Sequence, residues 1–275
     1  MKPAAFDYLR ARSVAEAAAA LAEEGGAKLI AGGQSLGPML NLRLVQPPLL
    51  IDIAAIPELA TVAEQGEELR IGACVTAASI EDGRLAAQGT PMLPRIAAGI
   101  SYRAVRNRGT IGGSLCHADP AADWVSALPA LGAICIVTNG SASRRMPARD
   151  FMTAAFETAL KPGEVLEAVV VPKVSRRARF GWHKVSRKTG KFAMAIGAVL
   201  WDPDHDVFRA VIGATHGKPI VIDDARELLG APGGSVAFDA ARASALLVQH
   251  GVKSGAEQRT HLAALRRAAS EAFPA

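Results

Sequence analysis

Two glycine pairs, each flanked by hydroxyl-bearing residues, are the part of this sequence best suited to chemistry. The first lies in Ala31-Gly32-Gly33-Gln34-Ser35 and the second in Thr110-Ile111-Gly112-Gly113-Ser114. Glycine has no Cβ, so it adopts positive φ readily and lets another backbone or a ligand come close. Successive backbone N–H groups in such a turn form a concave nest for an anion. Together the two segments predict a site that holds the two halves of a pyrophosphate, whereas one such loop alone is equally compatible with purely structural glycines.

The second glycine pair belongs to a polar segment, residues 109–123, which we interpret as one non-periodic loop. Asp119 and Asp123 can accept hydrogen bonds from sugar hydroxyls, or cap a helix that begins near Pro120. His117 has no serine or cysteine nucleophile arranged around it and no second histidine at metal-ligand spacing. We therefore expect neither a catalytic nor a metal-binding role for it, and interpret it as structural or partner-facing.

Neither glycine pair matches the common nucleotide-binding fingerprints. A Rossmann loop requires G-x-G-x-x-G, whereas these glycines are adjacent and Gln34 stands where a further glycine is needed. A Walker loop requires Gly-Lys followed by Ser or Thr, and neither segment continues that way. The sequence therefore excludes both motifs.

The patterns around the first glycine pair predict a β-α-β unit. Ser13-Val14-Ala15-Glu16 is a capping box, and the helix that it begins should end at Gly25-Gly26. Buried strands are predicted at 28–31 and 49–53, with a short helical turn at 38–44 between them.

The following residues predict a second lobe and then a change of pattern near residue 176. The second lobe should contain a hairpin around Gly66, helices at 76–80, 91–100 and 122–131, and strands at 133–138, 144–146 and 165–171. Beyond it we expect three antiparallel strands at 180–186, 193–201 and 207–214, with a turn at 202–205, and helices at 240–249 and 257–272.

Charge and composition argue against some classes of function. The chain has 275 residues, of which 50% are hydrophobic and 5% aromatic, with a formal net charge of +5. The basic residues are scattered and lack interleaved aromatic residues, which disfavours nucleic-acid binding. Arg103, Arg106 and Arg108 alternate before the second glycine pair, so they are interpreted either as cations near phosphates or as a solvated basic face.

The three cysteines, Cys74, Cys116 and Cys135, are far apart and form no C-x-x-C motif. They cannot assemble an iron–sulfur cluster or a structural zinc site, and we expect small buried side chains in a reducing compartment. No signal peptide or membrane span is predicted, so we expect a cytoplasmic protein.

The two glycine segments resemble the two flavin loops of the FAD-binding medium subunit of molybdenum hydroxylases, the family of carbon monoxide, nicotine and xanthine dehydrogenases. Residues 113–123 are similar to the second loop almost residue for residue, and the opening Pro3–Tyr8 and the later Lys184–Gly190 also match. The resemblance covers essentially the whole chain.

The fold that this resemblance implies is α+β. A two-lobed FAD-binding domain of the PCMH (vanillyl-alcohol-oxidase-like) type would occupy residues 1–175, with lobes at about 1–55 and 56–175. A small C-terminal domain with a three-stranded antiparallel sheet and helices would occupy residues 176–275.

The resemblance also implies a set of residues that bind FAD noncovalently, since no family attachment residue is evident. Phe192 corresponds to a position near the isoalloxazine where tyrosine is common. The implied set comprises Lys28, Leu29, Ile30, Ala31, Gly32, Gly33, Gln34, Ser35, Leu36, Val105, Gly109, Thr110, Gly112, Gly113, Ser114, Cys116, His117, Ala122, Asp123, Val165, Lys184 and Phe192.

The function that the resemblance implies is electron transfer within a complex. A small subunit with 2Fe–2S clusters would deliver electrons, a large subunit with a molybdenum cofactor would hydroxylate the substrate, and the assembly would be a dimer of heterotrimers. The acceptor stays open among a quinone, oxygen and another carrier. Two alternatives remain: a stand-alone FAD-dependent oxidase or reductase of the same superfamily, and a non-enzymatic anion-binding or assembly protein.

Overall fold

Three sheets of different construction follow one another along the chain. The structure is a computed structural model that describes residues 2–83, 90–232, 237–253 and 255–274. Its sheets are a three-stranded parallel sheet, a five-stranded antiparallel sheet and a four-stranded antiparallel sheet, with a separate two-stranded ribbon. The predicted α+β class is confirmed.

The first lobe is the predicted β-α-β unit with one additional strand. Its elements are β1 (Asp7–Arg10), α1 (Val14–Glu23), β2 (Lys28–Ile30), α2 (Leu36–Asn41) and β3 (Leu49–Asp52). The parallel sheet has the order β1-β3-β2, and its register places Leu9, Ile51 and Leu29 on the face that contributes to the core of this lobe. The carboxyl ends of all three strands therefore meet at one edge, where the first glycine pair begins.

Two local predictions in this lobe need correction. Ser13 caps α1 by accepting from the Glu16 N–H at 3.1 Å, but the Glu16 carboxylate accepts from the Arg12 N–H at 2.7 Å and not from Ser13. The predicted capping box is thus half formed. The strand at Lys28–Ile30 was expected to be buried, yet Lys28 is exposed and the other two residues are half-buried, because this strand lies at the edge of the sheet.

The second lobe is built on the five-stranded sheet, in the order β4-β5-β10-β6-β7. The predicted hairpin around Gly66 and the predicted pairing of residues 144–146 with the strand before them are both present. The elements are α3 (Pro57–Ala60), β4 (Val62–Gln65), β5 (Glu68–Gly72), α4 (Ala77–Glu81), α5 (Met92–Ala98), α6 (Arg103–Arg106), α7 (Ile111–His117), α8 (Asp123–Ala130), β6 (Ile134–Thr138), β7 (Ser143–Pro147), α9 (Ala148–Phe151), β8 (Met152–Ala154), β9 (Glu157–Thr158) and β10 (Val165–Pro172).

The segment interpreted as a non-periodic loop contains the helix α7. Ile111, Leu115 and Ala118 are buried at helical spacing, while Gly113 and Cys116 are exposed. Two glycines lower the helix propensity by about 1 kcal/mol each relative to alanine, which hid the helix in the sequence pattern. Packing of its buried face onto the core of the second lobe overrides that preference.

The C-terminal part contains a four-stranded sheet, in the order β11-β12-β13-β14, where three strands were expected. The fourth strand has only three residues, too few for a period-2 pattern to be recognised. The elements are β11 (Arg179–Val185), β12 (Ala195–Asp202), β13 (Val207–Gly213), β14 (Ile220–Ile222), α10 (Arg226–Leu229), α11 (Ala240–Gln249) and α12 (Ala256–Ala272).

The two faces of this sheet pack into different hydrophobic cores. Ile196 and Val211 belong to the core that also contains α8 and the second lobe. Val199 and Phe208 belong to the core formed with α11 and α12. The sheet is therefore joined to the second lobe by shared apolar packing, and the domain boundary near residue 175 stays a prediction.

Glycines let α12 lie directly on the backbone of this sheet. A Cβ at Gly181 would stand 1.8 Å from the carbonyl oxygen of Ala268, and one at Gly197 would stand 2.5 Å from that of Ala264. Both distances are far below van der Waals contact, and the obstructing atoms are main-chain atoms. Neither position accepts a side chain unless the helix moves away from the sheet.

We expect Gly181→Ala to lower the free energy of unfolding by about 3 kcal/mol, because the added methyl group overpacks a helix–sheet contact. Urea unfolding followed by circular dichroism measures the change. Gly217→Ala is the control, since a Cβ there meets nothing within 4 Å. Equal stability of the two variants would contradict the proposed contact.

Candidate functional site

The two glycine segments, far apart in sequence, touch in the structure. A Cβ at Gly32 would lie 1.9 Å from the carbonyl oxygen of Arg108 and 3.0 Å from the amide nitrogen of Gly109. Gly109 leads directly to Thr110, the N-cap of α7. The first loop therefore contacts the main chain immediately before the second loop. This proximity is necessary if both loops bind the same ligand.

The first loop presents a run of unoccupied N–H groups. Within the described part of the chain, the amides of residues 32–36 have no protein acceptor. Gly33 has a φ of 70°, the left-handed conformation that bends successive amides toward one concave side. The carbonyl oxygens of Gly33 and Ser35 are bonded instead, to Gly37 N and Met39 N, which fixes the turn. This loop has the geometry of an anion-binding nest.

The second loop does not form a nest, which corrects the sequence interpretation. Ile111 N donates to Val75 O at 3.0 Å, and Gly112 N donates to Ala73 O at 2.9 Å. The Thr110 hydroxyl accepts from Gly113 N at 3.0 Å, and the next amide in α7 donates to the Thr110 carbonyl. The first amides of α7 are thus already satisfied by protein.

The members of the second glycine pair have separate roles. A Cβ at Gly112 would lie 2.4 Å from Ala73 Cβ and 2.7 Å from its carbonyl oxygen, so this glycine permits α7 to pack on the chain after β5. A Cβ at Gly113 would approach only the Thr110 hydroxyl within 4 Å, and Gly113 is exposed. Only Gly113 leaves its side of the helix open to a ligand.

The outward face of α7 is lined by small side chains. Gly113 and Cys116 are exposed, and Ser114 and His117 are half-buried. The Ser114 hydroxyl has no protein partner in the described residues, and neither has the Ser35 hydroxyl of the first loop. These two hydroxyls and the nest are donors available to an anionic ligand.

A buried ion pair joins the start of α8 to strand β11. Lys184 Nζ donates to Asp123 Oδ2 at 2.8 Å and to Gly99 O at 3.2 Å. The Asp123 side chain is 5% exposed and that of Lys184 12%. Burial raises the pKa of the Asp123 carboxyl above its usual value, and the Lys184 ammonium opposes that shift.

One oxygen of this pair lacks a partner. Asp123 Oδ1 is buried without a hydrogen bond, although buried polar atoms are nearly always paired. The resemblance assigns both Asp123 and Lys184 to the cofactor, and the structure shows that they also bind each other. The two residues lie 61 positions apart, and nothing local in the sequence signals the pairing.

The remaining predicted site residues differ in their burial. Val165, the first residue of β10, is 1% exposed, whereas Phe192 is 63% exposed. Val105 belongs to α6, and its carbonyl accepts from Gly109 N at 2.7 Å. Ala122 is buried at the N-terminus of α8. Their assignment to the cofactor stays a prediction.

An aromatic contact beside α7 was not foreseen. The ring of His117 lies 5.3 Å from that of Phe156, centroid to centroid, with a tilted geometry. Phe156 has a φ of 62° and is 60% exposed, and its amide donates to Ala118 O at 2.8 Å. An aromatic residue held at positive φ is unusual, and no sequence pattern predicts it.

Two of the three arginines before the second loop, Arg103 and Arg106, are engaged by carboxylates. Arg106 binds Glu81 through two hydrogen bonds of 2.7 and 2.8 Å, and Arg103 binds both Asp82 and Glu81. These ion pairs fasten α6 to α4. The Arg106 side chain is largely buried, whereas that of Arg103 is 48% exposed, so a solvated basic face fits Arg103 but not Arg106. A phosphate contact by Arg108 stays a prediction.

We expect Asp123→Leu to reduce the free energy of unfolding by about 3–5 kcal/mol, because it leaves a buried ammonium without its counter-charge. The double variant Asp123→Leu/Lys184→Met should regain most of that loss, since it removes both charges. Urea unfolding of the four proteins of this cycle measures the coupling. Strictly additive effects of the single changes would contradict a buried pair.

The sequence and structure of this chain are similar to those of known proteins. Residues 4–174 match the family model of the FAD binding domain in molybdopterin dehydrogenase. The chain is 38% identical over 201 residues to the 6-hydroxypseudooxynicotine dehydrogenase complex subunit alpha of Paenarthrobacter nicotinovorans, covering 73% of this chain and 68% of that one. It is 33% identical over 282 residues to the carbon monoxide dehydrogenase medium chain of Afipia carboxidovorans, covering 99% and 98%.

The fold is also that of a solved relative. Carbon monoxide dehydrogenase from Hydrogenophaga pseudoflava, in a form lacking the Mo-pyranopterin moiety of its molybdenum cofactor, contains a chain that superposes with a TM-score of 0.88. The two are 29% identical, and the match covers 99% of each. The resemblance noted in the sequence is thereby confirmed, as are the fold class and the expectation of an oxidoreductase subunit: the chain belongs to the family of FAD-binding medium subunits of molybdenum hydroxylases.

Proposed function

We propose that this chain is the electron-transfer subunit of a molybdenum hydroxylase complex, receiving electrons from a 2Fe–2S subunit and passing them to an external acceptor. The observation that carries this proposal is the nest at residues 32–36, which lies against the second glycine segment. Adjacent amides without acceptors suit a multiply charged anion such as a pyrophosphate.

The residues present fit FAD in three respects. The nest and the hydroxyls of Ser35 and Ser114 would hold the pyrophosphate. Gly113 leaves room for the ligand along α7. Asp123 Oδ1, an orphaned buried acceptor, would receive a hydroxyl or N–H from a more distant part of an elongated ligand. When bound, FAD supplies the capacity to exchange electrons singly or in pairs.

The chain's own residues shape that site without entering the chemistry. Lys184 neutralises Asp123, so the carboxylate is held in one orientation with its second oxygen available. Gly32 and Gly112 fix the two loops by backbone contact, so the donors are placed before a ligand arrives. In the described part of the chain, no group of three or more metal-ligating side chains could hold a metal ion.

The proposed partners follow from the relatives. The relative from Afipia carboxidovorans is called a medium chain, and the carbon monoxide dehydrogenase of Hydrogenophaga pseudoflava uses a molybdenum cofactor. We infer that this chain assembles with a small 2Fe–2S subunit and a large molybdenum-cofactor subunit, as a dimer of heterotrimers. Cytoplasmic location stays part of this proposal; among the described residues, no helix is both long and apolar enough to cross a membrane.

We expect Gly33→Val to lower the affinity for FAD at least about tenfold, because a β-branched residue at positive φ distorts the nest. Gly66→Val is a matched control: Gly66 has a φ of 60° in the β4–β5 turn, and nothing lies within 4 Å of its Cβ position. Flavin fluorescence titration of both apoproteins measures the dissociation constants. Equal flavin affinity of the two variants would remove the nest from the site.

We also expect the chain, when purified from its source, to co-purify with two other polypeptides and molybdenum. Because the organic substrate would bind the large subunit, the isolated FAD-loaded chain should not oxidise organic donors, whereas the complex should. Metal analysis and a donor-oxidation assay with a dye acceptor test this. Turnover of an organic donor by the isolated chain would favour the stand-alone oxidase.

A further inference from the structure

The loop between β11 and β12 has a defined shape. Its ends are closed by the main-chain hydrogen bond from Met194 N to Val185 O, 2.7 Å long. Within it, Lys191 N donates to Lys188 O at 3.1 Å. The loop, residues 186–193, is therefore a fixed platform for the side chains that project from it.

Three of those side chains are cations without counter-charges. Arg187, Lys188 and Lys191 are exposed, and within the described residues none of them contacts a carboxylate. Nearby Arg103, by contrast, is engaged by Asp82 and Glu81. The loop thus concentrates positive charge, while the arginines beside it are neutralised.

Exposed apolar side chains accompany the charge. Met194 is 49% exposed and Tyr102 50%. Tyr102 adjoins the loop, because its ring lies 3.0 Å from the Cβ position of Gly190. We call the set Tyr102, Arg187, Lys188, Lys191 and Met194 the basic–aromatic surface.

This surface lies close to the proposed flavin site. Ala193 N approaches Ala121 O at 3.5 Å, beside the N-terminus of α8. On the adjoining strand β11, Lys184 reaches Asp123. A molecule bound to the basic–aromatic surface is therefore separated from the site only by the loop and the first residues of α8.

We propose that the basic–aromatic surface docks an acidic protein that carries a one-electron redox centre. The proposal rests on the proposed electron-transfer function and names its acceptor class. In each encounter the reduced complex loses one electron and the carrier gains one, and no covalent bond is made or broken.

The shape and the charge of the surface favour a protein over other partners. Small ligands bind in concave sites that bury most of their surface, whereas these side chains project into solvent. Lipid headgroup recognition usually takes clusters of about four to eight cations, more than this loop carries. Redox encounters use small interfaces, and complementary charge increases their association rate.

The experiment uses the FAD-loaded complex and flavodoxin, an acidic one-electron carrier, as the probe. Isothermal titration calorimetry at low ionic strength should show binding to the wild-type complex that weakens as salt is added. Lys188→Glu/Lys191→Glu should raise the dissociation constant roughly tenfold or more. Donor oxidation with a small neutral dye should be unchanged.

Arg176→Glu is the control for charge alone. Arg176 is exposed and unpaired in the described structure, and it precedes the opposite end of β11, roughly 20 Å from the loop by strand geometry. The dissociation constant of the Arg176→Glu complex for flavodoxin should match the wild-type value within about twofold.

Three results would overturn the docking proposal: equal affinity of the wild type and the double variant, binding of phosphatidylserine vesicles but not of flavodoxin, or loss of partner subunits from the double variant. The last would show that the surface is covered within the complex. Flavin content separates this failure from failure of the proposed function, since a complex without FAD contradicts the latter whatever it binds.

Discussion

The arrangement of the site depends on main-chain segments lying closer together than any side chain permits. Gly32 lies on the backbone of Arg108 and Gly109, and Gly112 lies on Ala73. These contacts set the distance between the two loops and the orientation of α7. Gly32 and Gly112 are therefore needed mainly for backbone packing. Their neighbours Gly33 and Gly113 leave space in which a ligand could bind.

A second constraint is electrostatic and joins the C-terminal sheet to the FAD-binding lobes. Lys184 enters from β11 and neutralises Asp123 at the start of α8, where both are largely removed from water. Around them the apolar core is continuous, since Trp182 and Ile196 belong to the same cluster as Trp124 of α8. The candidate site and the C-terminal sheet therefore belong to one packed unit.

Local patterns in the sequence predicted most of the fold, while the binding role of the site residues stays a prediction. Runs of apolar residues predicted the long strands β10, β12 and β13, and the glycine motifs located both loops. The helix α7 was missed because its glycines disguise its periodicity. The sequence also could not show which loop has free amides. The amides of the second loop donate to the carbonyl oxygens of Ala73 and Val75, which lie on a different segment of the chain. The same limit hid the pairing of Asp123 with Lys184.

The contact of Gly32 with Arg108 has a consequence for biosynthesis. When only the chain up to β3 has emerged from the ribosome, residues 32–36 are present, but the backbone of Arg108 and Gly109 that contacts Gly32 is not. The supporting segment emerges later, and Lys184, which orients Asp123, later still. The two loops and the ion pair can therefore come together only after residue 184 of the 275 has been synthesised, so we expect the candidate site to be completed on a long nascent chain rather than on its first folded fragment.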